Sequence, residues 1–384
     1  MKILFSSIPA HGHTYPLLPL AVAAKAQGHS ITYATGENFH PTLARLGFDT
    51  VAAGRDIGGA FVEVAGGPVS PAEMQSRSPE EMRRIISRVF GVVLPSSFIA
   101  DLRPVLAERA PDLVVYESAC PGAGIAAKAA GIPAVCHGIG RGVPAGQLSA
   151  LLADIVPLAE AAGVDYDVEH GRGRGDALLD IYPLSIQDPA ATAAPRRVPL
   201  RPVAFADPGE LPGWVTEPGE PIVYLTLGTS FGSVEVLRTA IHALAATGAR
   251  VLVAAGPTVD VAALGEPPAN VTIESWVPQA DLLPHVDLVV HHGGAGTTLG
   301  AAGAGVPQLF LPQGADQFTN AEAVTGFNAG RQLLPADTTA ERITENATAL
   351  LTDTDVAEAV AALAADIATM PTPEDVAKRL PEFA

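Results

Sequence analysis

Continuous apolar runs along this chain alternate with stretches of helical length rich in small residues, not with single polar positions. "KILFSSIPAHGHTYPLLPLAVAAKAQGHSITYAT" reads as strand, loop, helix closed at Gly28, then strand, and "PIVYLTLGTSFGSVEVLRTAIHALAATGARVLVAAG" repeats that order with Gly248 closing the helix. A second echo pairs "DLVVYESACPGAGIAAKAAGIPAV", from Asp112, with "DLVVHHGGAGTTLGAAGAGVPQLFL", from Asp287. In each, an apolar strand meets a glycine-containing turn, a small-residue helix and a Gly-Ile-Pro or Gly-Val-Pro step into another strand. Uniformly apolar strands alternating with helices predict buried parallel sheets of the doubly wound kind.

The duplication predicts an α/β protein of two Rossmann-like domains. The first spans residues 1–205 and the second 220–365, joined by the linker 206–219, "ADPGELPGWVTEPG", rich in Pro, Gly and acids. Residues 366–384 contain a closing helix, with Thr372 and Glu374 as start signals, expected to pack back on the first domain. Residues 54–80 and 163–180 lack regular patterning and read as loops or mobile short helices. Ligands of such sheets lie beyond the carboxyl ends of the strands, so two facing halves would place a site in a central cleft. The second echo then aligns Glu117 with His292, one on each wall.

At 384 residues with 48% hydrophobic content, the chain is long enough for two cores. Its 41 acidic and 23 basic residues leave a net charge of −18, which repels nucleic acid and anionic lipid. A soluble protein acting on a small molecule is expected. Cys120 and Cys136 are too few for a disulfide framework and suit a reducing cytoplasm. The N-terminal apolar run stops at Pro9, too short for a signal peptide, and no run of about 18 apolar residues predicts a membrane span. A homodimer is compatible with the sequence, which does not fix the oligomeric state.

Candidate chemistry sits at the strand ends. "HHGGAGTT" (291–298) lies where a strand hands over to a helix, whose first N–H groups lack partners and attract anions. It fits neither the Walker loop nor the dinucleotide fingerprint, since Leu299 breaks the latter. Imidazole, hydroxyls and backbone amides there would together hold a diphosphate without a metal. His291, one residue earlier on the strand, points to the opposite face and reads as structural. "PAHGHTYP" puts His11 and His13 after the first strand. Pairing with Glu117 would fix an imidazole tautomer and leave the other nitrogen as a base near neutrality. Trp276 in "SWVPQ" suits stacking on a planar base, and Asp316 with Gln317 in "PQGADQ" suits holding sugar hydroxyls. "DYD" (165–167) and "DTD" (353–355) are better read as a solvated loop or a helix cap than as a metal-binding pair, and Gly122-x-Gly124-x-x-Ala127 is a lone dinucleotide-like match whose turn starts five residues past the strand.

Taken in order, "GHTYP", "WVPQ", "HHGGAGTT" and "PQGADQ" resemble family 1 glycosyltransferases of GT-B fold, in the bacterial branch that decorates antibiotic-type natural products. The resemblance implies inverting, metal-independent transfer of a sugar from a nucleoside diphosphate to a natural-product aglycone such as a polyketide, with no cofactor. It assigns His13 as the base and Glu117 as its orienter, where the family usually has Asp. Trp276 takes the base-stacking position, with Val277 and Gln279 around base and ribose. It further assigns His292, Gly294, Ala295, Gly296 and Thr297 to the diphosphate, Thr229 to the loop near the phosphates, and Asp316 and Gln317 to the sugar. Where many UDP-sugar relatives carry a ribose-gripping Glu, this chain has Gly300, which points to a dTDP-linked donor, such as a deoxysugar. His137 and the loops 54–80 and 138–180 are expected to shape an aliphatic acceptor pocket. The alternatives are a GT-B sugar-nucleotide epimerase or hydrolase, and a non-catalytic auxiliary of another glycosyltransferase.

Overall fold

The computed structural model describes residues 1–67, 77–143, 145–229 and 233–384. The chain divides into two compact units: residues 1–181, 188–200 and 371–384 form the first, and 182–187 with 201–370 form the second.

The first unit is built on a seven-stranded parallel sheet of β1 (Lys2–Ser6), β2 (Ser30–Thr35), β3 (Asp49–Ala52), β4 (Leu113–Glu117), β5 (Ala134–His137), β6 (Ala177–Asp180) and β7 (Arg197–Pro199). Their spatial order is β3-β2-β1-β4-β5-β6-β7. The second unit holds β8 (Ile222–Thr226), β9 (Arg250–Ala254), β10 (Val271–Glu274), β11 (Leu288–His291), β12 (Gln308–Phe310) and β13 (Gly330–Gln332), in the order β10-β9-β8-β11-β12-β13. The two orders are the same doubly wound pattern, and both central strands, β4 and β11, are buried along their whole length, as their apolar runs require.

The internal echo is reproduced down to single hydrogen bonds. Asp112 accepts from the Lys2 N–H and Asp287 from the Ile222 N–H, each at 2.8 Å, so each carboxylate ties a central strand to the one beside it. The helices Pro121–Ala129 and Ala295–Ala304 both close on glycines in the left-handed region, Gly131 (φ 72°) and Gly305 (φ 72°). The following residue then donates back to the helix: Ile132 to Ala127 and Val306 to Ala301, both at 2.9 Å.

Several expected boundaries shift. Residues 206–219 belong to the second unit, because Val215 is buried there with Leu211 and Trp214 packed beside it. Arg250 lies over the Trp214 ring, 5.4 Å from its centre, and donates to the Trp214 and Glu217 carbonyls. The linker composition therefore describes an ordered brace. Only residues 371–384 of the tail return to the first unit, where the helix Pro373–Arg379 packs on the helix Leu18–Ala26, while the helix Thr354–Thr369 stays in the second. Thr372 caps the last helix in a reciprocal pair with Asp375, three residues on, rather than with Glu374.

The irregular segments also resolve. Ile57–Ala65 is a helix capped by Asp56, and residues 163–180 contain a short antiparallel hairpin, Tyr166–Asp167 with Arg172–Gly173. Residues 68–76 of the loop 54–80 lie outside the described residues. A continuous helical run, Pro79–Arg109, passes through a π-turn at Val89–Val93. It is the one run among the described residues long and apolar enough to cross a membrane by length and composition. Here Leu94, Phe98, Leu102 and Leu106 bury one side of it in the core of the first unit.

Gly122 and Gly124 owe their identity to packing. A Cβ on Gly122 would meet the Pro95 backbone at 2.4–2.9 Å, and one on Gly124 would meet the Tyr116 ring at 2.5 Å. Backbone gives way less readily than a side chain, so Gly122→Ala should destabilise by about 1–3 kcal/mol through overpacking. Urea unfolding is the check, and an unchanged midpoint would contradict this close approach.

Candidate active site

In the first unit, His13 lies in a short helix, His11–Thr14, that follows β1 directly. Two hydroxyls and a phenol hold this loop in place. Thr14 Oγ1 lies 2.9 Å from Ser7 Oγ and donates to the Ile8 carbonyl at 3.2 Å, while the buried Tyr33 hydroxyl donates to Ser7 Oγ at 3.2 Å. Ser7, Thr14 and Tyr33 escaped the motif reading, although Thr14 sits inside "GHTYP". His11 belongs to a different cluster, edge-on to the rings of Tyr15 (5.0 Å) and Phe39 (5.1 Å).

Glu117 ends β4 and is completely buried. Its carboxylate accepts from the Ile8 N–H at 3.3 Å, the Ala119 N–H at 2.5 Å and His13 Nδ1 at 3.0 Å. A carboxylate can only accept, so Nδ1 carries the proton and the lone pair resides on Nε2. The His13 side chain keeps 19% exposure, which puts a tautomer-fixed imidazole at the solvent boundary. The Glu117 side chain therefore reaches the histidine, as the resemblance required of a residue longer than Asp.

His137 has a different environment from the one expected. It closes β5 in register with Glu117 but is fully buried, donating from Nδ1 to the Gly138 carbonyl at 2.7 Å. Burial lowers its pKa to about 4. It offers no surface to an acceptor.

In the second unit the strand-to-helix turn is assembled around two histidines of opposite roles. His291 faces inward as expected: Nε2 donates to Gln308 Oε1 at 2.9 Å, and Nδ1 accepts from the Gly293 N–H at 3.2 Å. Burial, with the neighbouring His292 adding to it, lowers its pKa to about 3, so it works as a neutral brace. The His292 ring sits between two glycines. A Cβ on Gly228, in "LGTS", would come within 2.5 Å of the ring, and one on Gly294 within 2.6 Å. The loop before Thr229 and the glycine-rich turn are thus brought together by one imidazole. Its Nδ1 is buried without a hydrogen-bond partner among the described residues. Burial lowers its pKa to about 4, opposed by the Thr226 backbone.

The helix Ala295–Ala304 starts at Gly294 with no side chain capping it, the kind of helix start whose first N–H groups can meet an anion. Gly296 is exposed, and a Cβ there would meet nothing within 4 Å. Thr297 is turned inward: its hydroxyl donates to Gln279 Oε1 at 3.0 Å, with the Tyr224 hydroxyl 3.5 Å from the same oxygen. Gln279 is thereby oriented, its amide nitrogen lying 3.8 Å from where a Gly300 Cβ would be. Val277 is buried core, whereas Trp276 is 40% exposed, an unusually open setting for so large an apolar ring. Asp316 is exposed at the start of the helix Gln317–Gly326. Gln317 is buried, its carbonyl oxygen accepting from the Gln313 and Gly314 N–H groups at 2.7 and 3.0 Å. The discounted acids have local partners: Asp353 caps a helix and pairs with Arg331, and Asp165 pairs with Arg174.

Comparison with known proteins covers almost the entire chain. Residues 22–228 match the family described as Erythromycin biosynthesis protein CIII-like, N-terminal domain, and residues 238–383 match its C-terminal domain. The L-demethylnoviosyl transferase of Streptomyces niveus is 33% identical, the match spanning 99% of this chain and 97% of that one. The elloramycin glycosyltransferase of Streptomyces olivaceus is 31% identical over the same shares, 99% and 97%. Among solved structures, the glycosyltransferase SsfS6 of Streptomyces sp. SF2575, complexed with thymidine diphosphate, has a TM-score of 0.80 and 25% identity, covering 100% of this chain and 99% of that one.

The buried histidines make stability pH-dependent. Unfolded, each protonates near its ordinary value of 6.5, whereas folded His137 and His292 wait until about 4 and His291 until about 3. Below pH 6.5 the unfolded chain thus binds more protons, so stability is complete above that pH and is lost as pH falls toward 4. Each histidine contributes up to about 1.4 kcal/mol per pH unit. Urea unfolding at pH 7.5 and pH 5 should show this loss; equal stability at both would contradict the burial of these rings.

Proposed function

Because the chain belongs to the Erythromycin biosynthesis protein CIII-like family of antibiotic-tailoring glycosyltransferases, we propose that it moves a sugar from a dTDP-linked donor to a hydroxyl of a natural-product aglycone, with inversion and without a metal or cofactor. The observation that carries the reading is the His13–Glu117 pair, a base whose tautomer is set by a buried carboxylate.

In the proposed reaction, Nε2 of His13 takes the acceptor's hydroxyl proton as the oxygen attacks the anomeric carbon. The bond from that carbon to the diphosphate oxygen breaks, and its electron pair leaves with the diphosphate. Attack opposite the leaving group inverts the configuration. Glu117 stabilises the imidazolium as it forms, without itself accepting the proton. Charge growing on the leaving diphosphate meets the N–H groups at the start of Ala295–Ala304 and the side of His292. The backbone N–H groups are dipoles in place before reaction, which suits a role at developing rather than standing charge.

The donor's nucleoside is proposed from two features. The half-exposed Trp276 supplies a stacking face for a pyrimidine, and Gly300 leaves no carboxylate to grip a ribose 2′-hydroxyl. The dTDP complex of SsfS6 supports the same assignment. The acceptor is proposed to be apolar, and the site of action cytoplasmic.

His13→Ala should lower turnover by about 10²–10⁴-fold while leaving dTDP affinity within twofold. Equal loss of both in kinetics and calorimetry would contradict a base role. Titration should also show dTDP binding more tightly than UDP; the reverse order would overturn the dTDP assignment.

A further inference from the structure

Asn320 is fully buried in the helix Gln317–Gly326, and every polar atom of its side chain has a named purpose. The amide nitrogen donates to the Gly293 carbonyl at 2.9 Å and to Asp316 Oδ2 at 3.0 Å, and the amide oxygen accepts from the Tyr182 hydroxyl at 2.6 Å. Two donor hydrogens and one accepting oxygen fix the amide without ambiguity, because a flipped amide would face two acceptors with its oxygen. One side chain thereby ties the glycine-rich turn to the carboxylate at the rim.

The turn itself is pinned on both sides of Gly293. Its N–H goes to His291 and its carbonyl to Asn320, while its φ of 98° and the Gln317 carbonyl, 2.7 Å from where a Cβ would lie, admit only glycine. Asp316 follows Ala315, itself in the left-handed region at φ 53°, so the aspartate's position is not secured by relaxed backbone alone. Asn320 supplies that security through a hydrogen bond to the charged oxygen, which also leaves the other carboxylate oxygen to face outward contacts.

We infer that Asn320 is a positioning residue for the donor, setting the distance between the diphosphate-binding turn at Gly293 and the sugar-holding carboxylate of Asp316, with Tyr182 locking its amide. The inference rests on the proposed reading of Asp316 and the turn as donor contacts. It assigns specificity for the sugar to a residue that touches no ligand. Tyr182 belongs to the segment 182–187, which packs in the second unit although the chain before and after it belongs to the first. That excursion delivers the hydroxyl to Asn320.

The test is a double-mutant cycle of Asn320→Ala and Asp316→Ala in the full chain, read by calorimetry with dTDP-glucose and with dTDP as probes, alongside thermal unfolding. Asn320→Ala should weaken dTDP-glucose about tenfold, roughly the loss of one hydrogen bond to a charged group. Its effect on the preference for dTDP-glucose over dTDP should vanish once Asp316 is already Ala. Independent, multiplying effects on that preference would overturn the inference, as would an Asn320→Ala protein that binds both probes normally. If Asp316→Ala leaves the preference unchanged, the sugar-contact reading fails, and with it the Asp316 limb of the inference; unchanged dTDP affinity in Asn320→Ala would then overturn the Gly293 limb as well. Should Asn320→Ala not fold, Tyr182→Phe, which removes only the hydroxyl that locks the amide, takes its place in the same cycle with a smaller expected loss, and the same outcomes decide.

Discussion

A carboxylate with no solvent exposure is costly unless its charge is answered in place, and Glu117 is such a group. Two backbone N–H groups and His13 Nδ1 answer it. This one constraint organises the chemistry of the first unit. The backbone donors come from the loop after β1 and the turn after β4, so both must hold their course for the carboxylate to remain buried. Once they do, the histidine has a single stable orientation and tautomer. The Ser7–Thr14–Tyr33 network secures the same loop from the other side, which explains why polar side chains sit at 0% exposure next to the site.

The second unit repeats the frame and changes the chemistry. Residue 117 in the first echo and residue 292 in the second occupy the same step at the end of an apolar strand, and in both the preceding residue turns into the core. Tyr116 donates to Asp176 there, and His291 donates to Gln308. In the first unit that step carries a buried carboxylate that accepts from His13 Nδ1. In the second it carries an imidazole kept neutral by burial and seated by Gly228 and Gly294. The duplicated strand-turn-helix therefore carries a buried carboxylate bonded to a histidine in one half and a neutral imidazole seated between glycines in the other.

Much of this was legible in the sequence, for identifiable reasons. Buried parallel strands announce themselves as unbroken apolar runs, and glycine after a helix marks its end, so the sheets, the echo and the strand-end positions of Glu117 and His292 could be read directly. Alternation along a strand also placed His291 in the core. What escaped depends on long-range contacts between residues of ordinary local appearance. Asn320 and Tyr182 lie 138 positions apart, and no local pattern links them. The stretch 206–219 has a linker's composition, yet Arg250 and the Trp214 ring order it. His137 has the polar character and strand-end location of a site residue, and only burial reveals it as structural. Thr297 looked like a phosphate contact because it opens a helix, but its hydroxyl is directed to Gln279.

Everything proposed for the first unit depends on Glu117 holding His13 with its proton on Nδ1 and its lone pair on Nε2. Nitrogen-15 spectroscopy of histidine-labelled protein at pH 7.5 reads this directly, since protonated and bare ring nitrogens differ widely in shift. His13 should show a protonated Nδ1 and a bare Nε2, and this pattern should be lost in Glu117→Gln. A His13 protonated on Nε2, or a pattern indifferent to Glu117, would contradict it.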